Sequence, residues 1–193
     1  MRVMLVCLGF AAVLAGCQTA SYEGDVNSPY YVVPAGSRLT LTKELRLEPD
    51  QLSVYIQYGR ILPFSQVRVY SPFCKFELYD QSDVARTVMP DQMTVTRSFH
   101  YQTDGTFSEY APPHRTQLAS TVLFAQMGSG QSPGGPSIYS YVTRMNLHSE
   151  KQPEIFRLSC ARWAYPGMDE HVTIAEIRRT LSPLFTLRLP NES

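Results

Sequence analysis

Long apolar runs, cysteines and an excess of either charge are what this chain lacks. Its longest apolar stretch, Val3 to Val13, covers about 11 residues where a helix crossing a bilayer needs roughly 20, so no transmembrane helix is predicted. Lysine plus arginine and aspartate plus glutamate each number 17 in 193 residues. That balance offers nothing to draw in nucleic acid, which excludes nucleic-acid binding as a function. The four cysteines form no C-x-x-C pair, which argues against a thiol redox enzyme. The four histidines, His100, His114, His148 and His171, show neither H-x-H nor H-x3-H spacing, so no metal site is predicted. No Gly-Lys-Ser/Thr phosphate cradle is present, and no cofactor is expected.

What the amino terminus does contain is an address. Met1-Arg2 gives one positive charge, the apolar core is broken only by Gly9, and small residues lead to Cys17. This is the layout of a secretory signal peptide. Its ending, Leu14-Ala15-Gly16-Cys17, resembles the lipobox of bacterial lipoproteins. The resemblance implies removal of residues 1–16, diacylglycerol on the Cys17 thiol and an acylated new amino terminus. An ordinary signal peptide followed by a chance cysteine is the alternative. Several acyl chains, each buried CH2 worth about 0.8 kcal/mol, hold a protein on a membrane far longer than one chain can. Gln18 follows the cysteine; enterobacterial-type sorting reads an Asp there as retention in the inner membrane. The resemblance therefore implies an outer-membrane location facing the periplasm, with the membrane as a partner through Cys17.

Residues 17–29 are polar and mixed and read as a flexible tether. Residues 30–193 read as one domain, since about 177 residues after processing are enough for a core. Losing Arg2 from the 17 basic residues leaves 16 against 17 acidic ones. Cys7 leaves with the signal peptide, so Cys74 and Cys160 remain, in a compartment where disulfides persist. Each shares its phase with apolar neighbours, in Phe73-Cys74-Lys75-Phe76-Glu77-Leu78 and Phe156-Arg157-Leu158-Ser159-Cys160. A Cys74–Cys160 disulfide between two sequence-distant strands is predicted, worth on the order of 4 kcal/mol in lost denatured-state entropy. Two separate buried thiols are the alternative.

The period along the domain is two. Leu39, Leu41, Leu45 and Leu47 share one face from Ser37 to Leu47, and Leu52 to Tyr58 alternates after the turn at Glu48-Pro49-Asp50. Val67 and Val69 begin a third strand, with a break expected at Ser71-Pro72 before Phe73 to Leu78. Met93 to Tyr101 gives another strand. Leu118 to Met127 and Ile138 to Leu147 read as a hairpin across the glycine-rich loop 128–136. Ile155 to Trp163 carries Cys160. Thr173 and Glu176 fit a capping box and Val172 with Ile177 a hydrophobic staple, starting a helix that Pro183 stops. Leu184 to Leu189 reads as a last strand. The fold class is mostly β: an antiparallel β-sandwich or partly open barrel with one C-terminal α-helix.

No catalytic residue is assigned. Gly130-Gln131-Ser132-Pro133-Gly134 spells a hydrolase elbow, but prolines and a strand follow where that elbow needs a helix. Tyrosine is abundant, at 12 residues. Strand propensity accounts for most of that, and an aromatic binding face is the functional alternative. Tyr55 and Gln57, on the polar phase of their strand, are the candidate face. The segments Tyr55 to Gly59, Tyr70 to Leu78 and Leu158-Ser159-Cys160 resemble ones in uncharacterised proteobacterial envelope lipoproteins, a likeness that implies no activity. The expected role is a binding or assembly component with an envelope protein or glycan partner. The alternative is an envelope hydrolase acting on a cell-wall or lipid substrate.

Overall fold

The computed structural model describes residues 24–103, 138–167 and 171–192. Cys17, the lipobox, most of the tether, His114, the loop 128–136 and the strand predicted over Leu118 to Met127 lie outside the described residues. The described chain forms β1 (Arg38–Leu41), β2 (Leu45–Leu47), β3 (Ser53–Gln57), β4 (Arg60–Leu62), β5 (Phe73–Leu78), β6 (Arg86–Val88), β7 (Asp91–Thr103), β8 (Tyr139–His148), β9 (Ile155–Ala164), α1 (Ile174–Leu181) and β10 (Phe185–Arg188). Eight strands make one antiparallel sheet in the order β10-β1-β7-β8-β9-β5-β3-β4, and β2 pairs with β6 in a separate ribbon.

The sheet is curled. Phe76 on β5 and Phe185 on β10 are far apart in strand order, yet their ring centroids are 5.4 Å apart. Helix α1 packs against β10 and also against β3 and β5, bridging the two ends of the curl. Of the two predicted architectures, the partly open barrel is the one formed, as a half-barrel with a single helix near the C-terminus. Its inner face is apolar because alternate strand residues point the same way. Leu39, Leu41, Val54, Ile56, Phe76, Met93, Val95, Met145 and Leu158 are buried there with Ile174, Ile177 and Leu181 of the helix. The helix starts as its sequence dictates. The Thr173 hydroxyl accepts from the Glu176 N–H at 3.3 Å, and the Glu176 carboxylate accepts from the Thr173 N–H at 3.0 Å.

Cys74 and Cys160 sit directly opposite each other on β5 and β9 and are disulfide-bonded, with Cα atoms 4.0 Å apart and a sequence separation of 86. Both belong to the inner core.

Three expectations need correction. The run Ser37 to Leu47 is two strands: β1 pairs with β10 and β7 in the large sheet, a pairing the Thr42 N–H extends to the Leu184 carbonyl at 2.9 Å, and β2 then pairs with β6 in the second sheet. Its four leucines are nonetheless all buried. Val67 and Val69 are not in a strand: Phe64–Gln66 forms a 3-10 turn, and the two valines lean on the outer side of the sheet instead. Lastly, β8 is flanked by β7 on one edge and β9 on the other over nearly its whole length, leaving no edge for the predicted partner Leu118 to Met127. A short two-residue turn, Tyr58 at φ 52° and Gly59 at φ 69°, joins β3 to β4. Glycine is required there: a Cβ at 59 would lie 1.9 Å from the Ser182 carbonyl oxygen.

Candidate functional site

The outer face of β3, β5, β9, β8 and β7 carries the chemistry. Because side chains alternate, Tyr55, Phe73, Lys75, Glu77, Arg157, Ser159, Ala161, Trp163, Val142, Arg144, Phe99 and Tyr101 fall on this side. A second apolar cluster forms here around Phe73, Val142 and Ala161, with Tyr55, Val67, Val69, Tyr101 and Trp163 packed against it.

The segment between β4 and β5 lies over one end of this cluster. Gln57 ties it down. Its amide nitrogen donates to the Arg68 carbonyl at 3.0 Å and to the Pro72 carbonyl at 3.1 Å, while its side-chain oxygen accepts from the Arg68 N–H at 3.0 Å. The Trp163 backbone N–H adds a bond to the Val69 carbonyl at 2.8 Å. Gln57 is 1% exposed. Of the predicted pair, then, Tyr55 lines the outer face and Gln57 does not present itself to a partner: it holds the loop, because buried backbone carbonyls must find donors. Above Tyr55 the loop arranges aromatic rings. Phe64 lies 4.9 Å from the Tyr55 centroid, Phe73 lies 6.4 Å from it, and Tyr70 meets Trp163 edge-on at 6.3 Å. Phe64 and Tyr70 keep 45% and 59% of their surface exposed. The result is an aromatic shelf tied to the sheet by these bonds.

Beside the shelf runs a belt of buried charge. Lys75, Glu77, Arg144 and Arg157 are 6%, 2%, 8% and 3% exposed. Glu77 accepts from Arg157 at 2.6 and 3.1 Å and pairs with Lys75 at 3.0 Å. Burial alone would raise the Glu77 pKa, but the bond from Arg157 and the charges of Lys75 and Arg157 outweigh it and hold the carboxyl below its ordinary value. Among the described residues Arg144 has no salt-bridge partner: it donates to the Tyr101 hydroxyl and lies over the Tyr101 and Phe99 rings at 4.6 and 5.7 Å. Desolvation pulls this guanidinium below its ordinary pKa, and the same burial raises that of Tyr101. Lys75, Arg157 and Arg144 thus lie near the Glu77 carboxylate, and the aromatic faces under Arg144 add negative potential.

Sequence reasoning missed this belt because its residues occupy the polar phase of their strands. The signal was present: Phe73, Val142 and Ala161 share that phase, so these strands lack a clean alternation. Loss of alternation marks strands buried on both faces.

The inner face has one polar corner. His100 and His171 stack at 4.1 Å, and Tyr141 meets His171 edge-on at 5.5 Å. The nearby carboxylate, Glu176, is already engaged by the Thr173 N–H and by Arg162. Among the described residues, no three His, Cys, Asp or Glu side chains converge closely enough to hold a metal ion. No described helix is long and apolar enough to cross a membrane. Comparison with protein families, curated proteins and solved structures finds no match to this chain.

Proposed function

We propose that this chain is a lipid-anchored component of a bacterial envelope, held at the outer membrane through Cys17 and facing the periplasm, and that it works by binding an envelope protein. The lipobox residues support the anchor, and the cross-strand disulfide suits an oxidising compartment. The observation that carries the binding role is the shelf: Phe64 and Tyr70 project from a segment that Gln57 and Trp163 fix to the sheet. Preorganised aromatic rings give large contact area at low entropic cost. A protein partner fits better than a glycan, because the polar groups nearest the rings are already bonded, Gln57 to the loop and Lys75 to Glu77. The shelf offers apolar area and few donors to read sugar hydroxyls.

Photocrosslinking from positions 64 and 70 in intact envelopes tests the reading. One discrete protein adduct, absent when the probe sits at exposed Asp83 on the far loop, is the expected result. Adducts only to cell-wall glycan, or none, overturn it. The anchor has its own test: radiolabelled palmitate enters the wild-type chain and not Cys17→Ser.

A further inference from the structure

Away from the aromatic shelf, at the β10 end of the sheet, the outer face opens into a cleft of about 700 Å³. Its base is built by three adjacent strands. Arg38 on β1 is paired directly with Arg188 on β10, and Thr40 with Thr186 one step along the same face. Gln92 on β7 stands opposite Thr40 and extends the row. All of these line the cleft.

The charge arrangement is unusual. Like charges directly opposite each other on neighbouring strands repel, and their side chains start only about 5 Å apart. Among the described residues neither Arg38 nor Arg188 has a salt-bridge partner. Glu192 also lines the cleft: its carboxylate accepts from Arg178 and from the Leu189 N–H, and the charges of Arg178 and Arg188 also act on it, which leaves one carboxylate against three arginines at this end of the sheet. Two guanidinium forks side by side, flanked by two hydroxyls and a primary amide, share the cleft with one carboxylate that Arg178 already engages, so positive charge is in excess there. A tetrahedral oxyanion bridging both forks would complete the set, since arginine binds phosphate oxygens bidentately. The volume falls in the ordinary range for a small-ligand site and exceeds what a bare ion needs.

We propose that this cleft binds a phosphate ester, with Arg38 and Arg188 clamping the phosphate and Thr40, Thr186 and Gln92 bonding its oxygens or the attached polar group. The inference goes beyond the protein-binding role and stands whether or not that role does. A phosphate ester can come from a soluble metabolite or from a phospholipid headgroup, and the test separates them. The full chain carrying Cys17→Ser, so that no acyl chain dominates, is titrated with glycerol 3-phosphate and floated with phosphatidylglycerol or phosphatidylcholine vesicles. Saturable binding of glycerol 3-phosphate, weakened at least about tenfold in Arg38→Gln/Arg188→Gln, supports a soluble source. Flotation with phosphatidylglycerol, and not with phosphatidylcholine, lost in the same double variant, supports a headgroup. Neither binding, or binding equal in wild type and double variant, overturns the proposal. The variant should fold: removing two like charges from opposed positions leaves the thermal midpoint unchanged or higher.

Discussion

On β5, Cys74, Phe76 and Leu78 point inward while Phe73, Lys75 and Glu77 point outward, and all six are buried. The same holds for most of β8 and β9. The two faces reach that burial by opposite means. Inside, apart from the polar corner at His100 and His171, apolar side chains and a disulfide fill the half-barrel and are held mainly by shape. Outside, Arg157, Lys75 and Glu77 are buried together and Arg144 rests on aromatic rings, so each group relies on a particular neighbour. A buried ion pair adds little net stability over apolar packing, yet breaking one partner is severe. The inner face should therefore tolerate conservative change and the outer belt should not. At the β10 edge the contrast vanishes: there the outward residues are exposed and only the inner face is packed.

The sharpest way to break this comparison is Glu77→Gln. It takes the carboxylate from buried Lys75 and removes the two-point contact to Arg157, so the loss should be about 3–5 kcal/mol, the range for breaking a buried pair. Denaturant unfolding reads it. The same contact sets an acid limit. The Glu77 carboxyl is depressed in the folded state, so its contribution is fully present above the unfolded value near 4.3 and is lost as pH falls through the lower folded value. Wild type should thus lose stability below about pH 4, and Glu77→Gln should show a flatter acid limb.

On the inner face, the paired change Cys74→Ala/Cys160→Ala should lower stability by about 4 kcal/mol, through release of a long loop in the denatured chain rather than through lost native contacts. If that variant instead behaves like Glu77→Gln across the acid range, the two faces do not contribute to stability independently. Next in size is Gln57→Ala, at about 2 kcal/mol, because the Arg68 and Pro72 carbonyls lose a buried donor. Limited proteolysis should then cut near residues 64–70 before the sheet opens.

How much of this was legible follows the same division. The inward leucines, the Thr173 capping box and the Cys74–Cys160 pair could be read from residues alone, since each rests on a local period or spacing that the backbone enforces. The partners of β8 could not: antiparallel pairing between distant strands depends on the whole sheet order, whereas a hairpin is the local default. Gln57 was misread because alternation tells which way a side chain points and not what lies above it. The charge belt hid for that reason too. A polar phase looks solvated until the loop carrying Val67 and Val69 is placed over it.

The smallest expected effect decides whether the outer face has a purpose beyond its own stability. Tyr70 is more than half exposed and makes an edge contact with Trp163, so Tyr70→Ala should shift stability by under about 0.5 kcal/mol, the usual range for a surface site. Nothing in folding then requires a large aromatic ring at that position, in a segment already fixed by Gln57 beneath it. If the ring is kept for a partner, the same substitution should abolish the crosslinked adduct formed from position 64 while the unfolding curve hardly moves. An adduct that survives in Tyr70→Ala would assign the contact to Phe64 and its neighbours alone. A large loss of stability would instead make Tyr70 part of the packing that holds the loop down, and the shelf would end at Phe64.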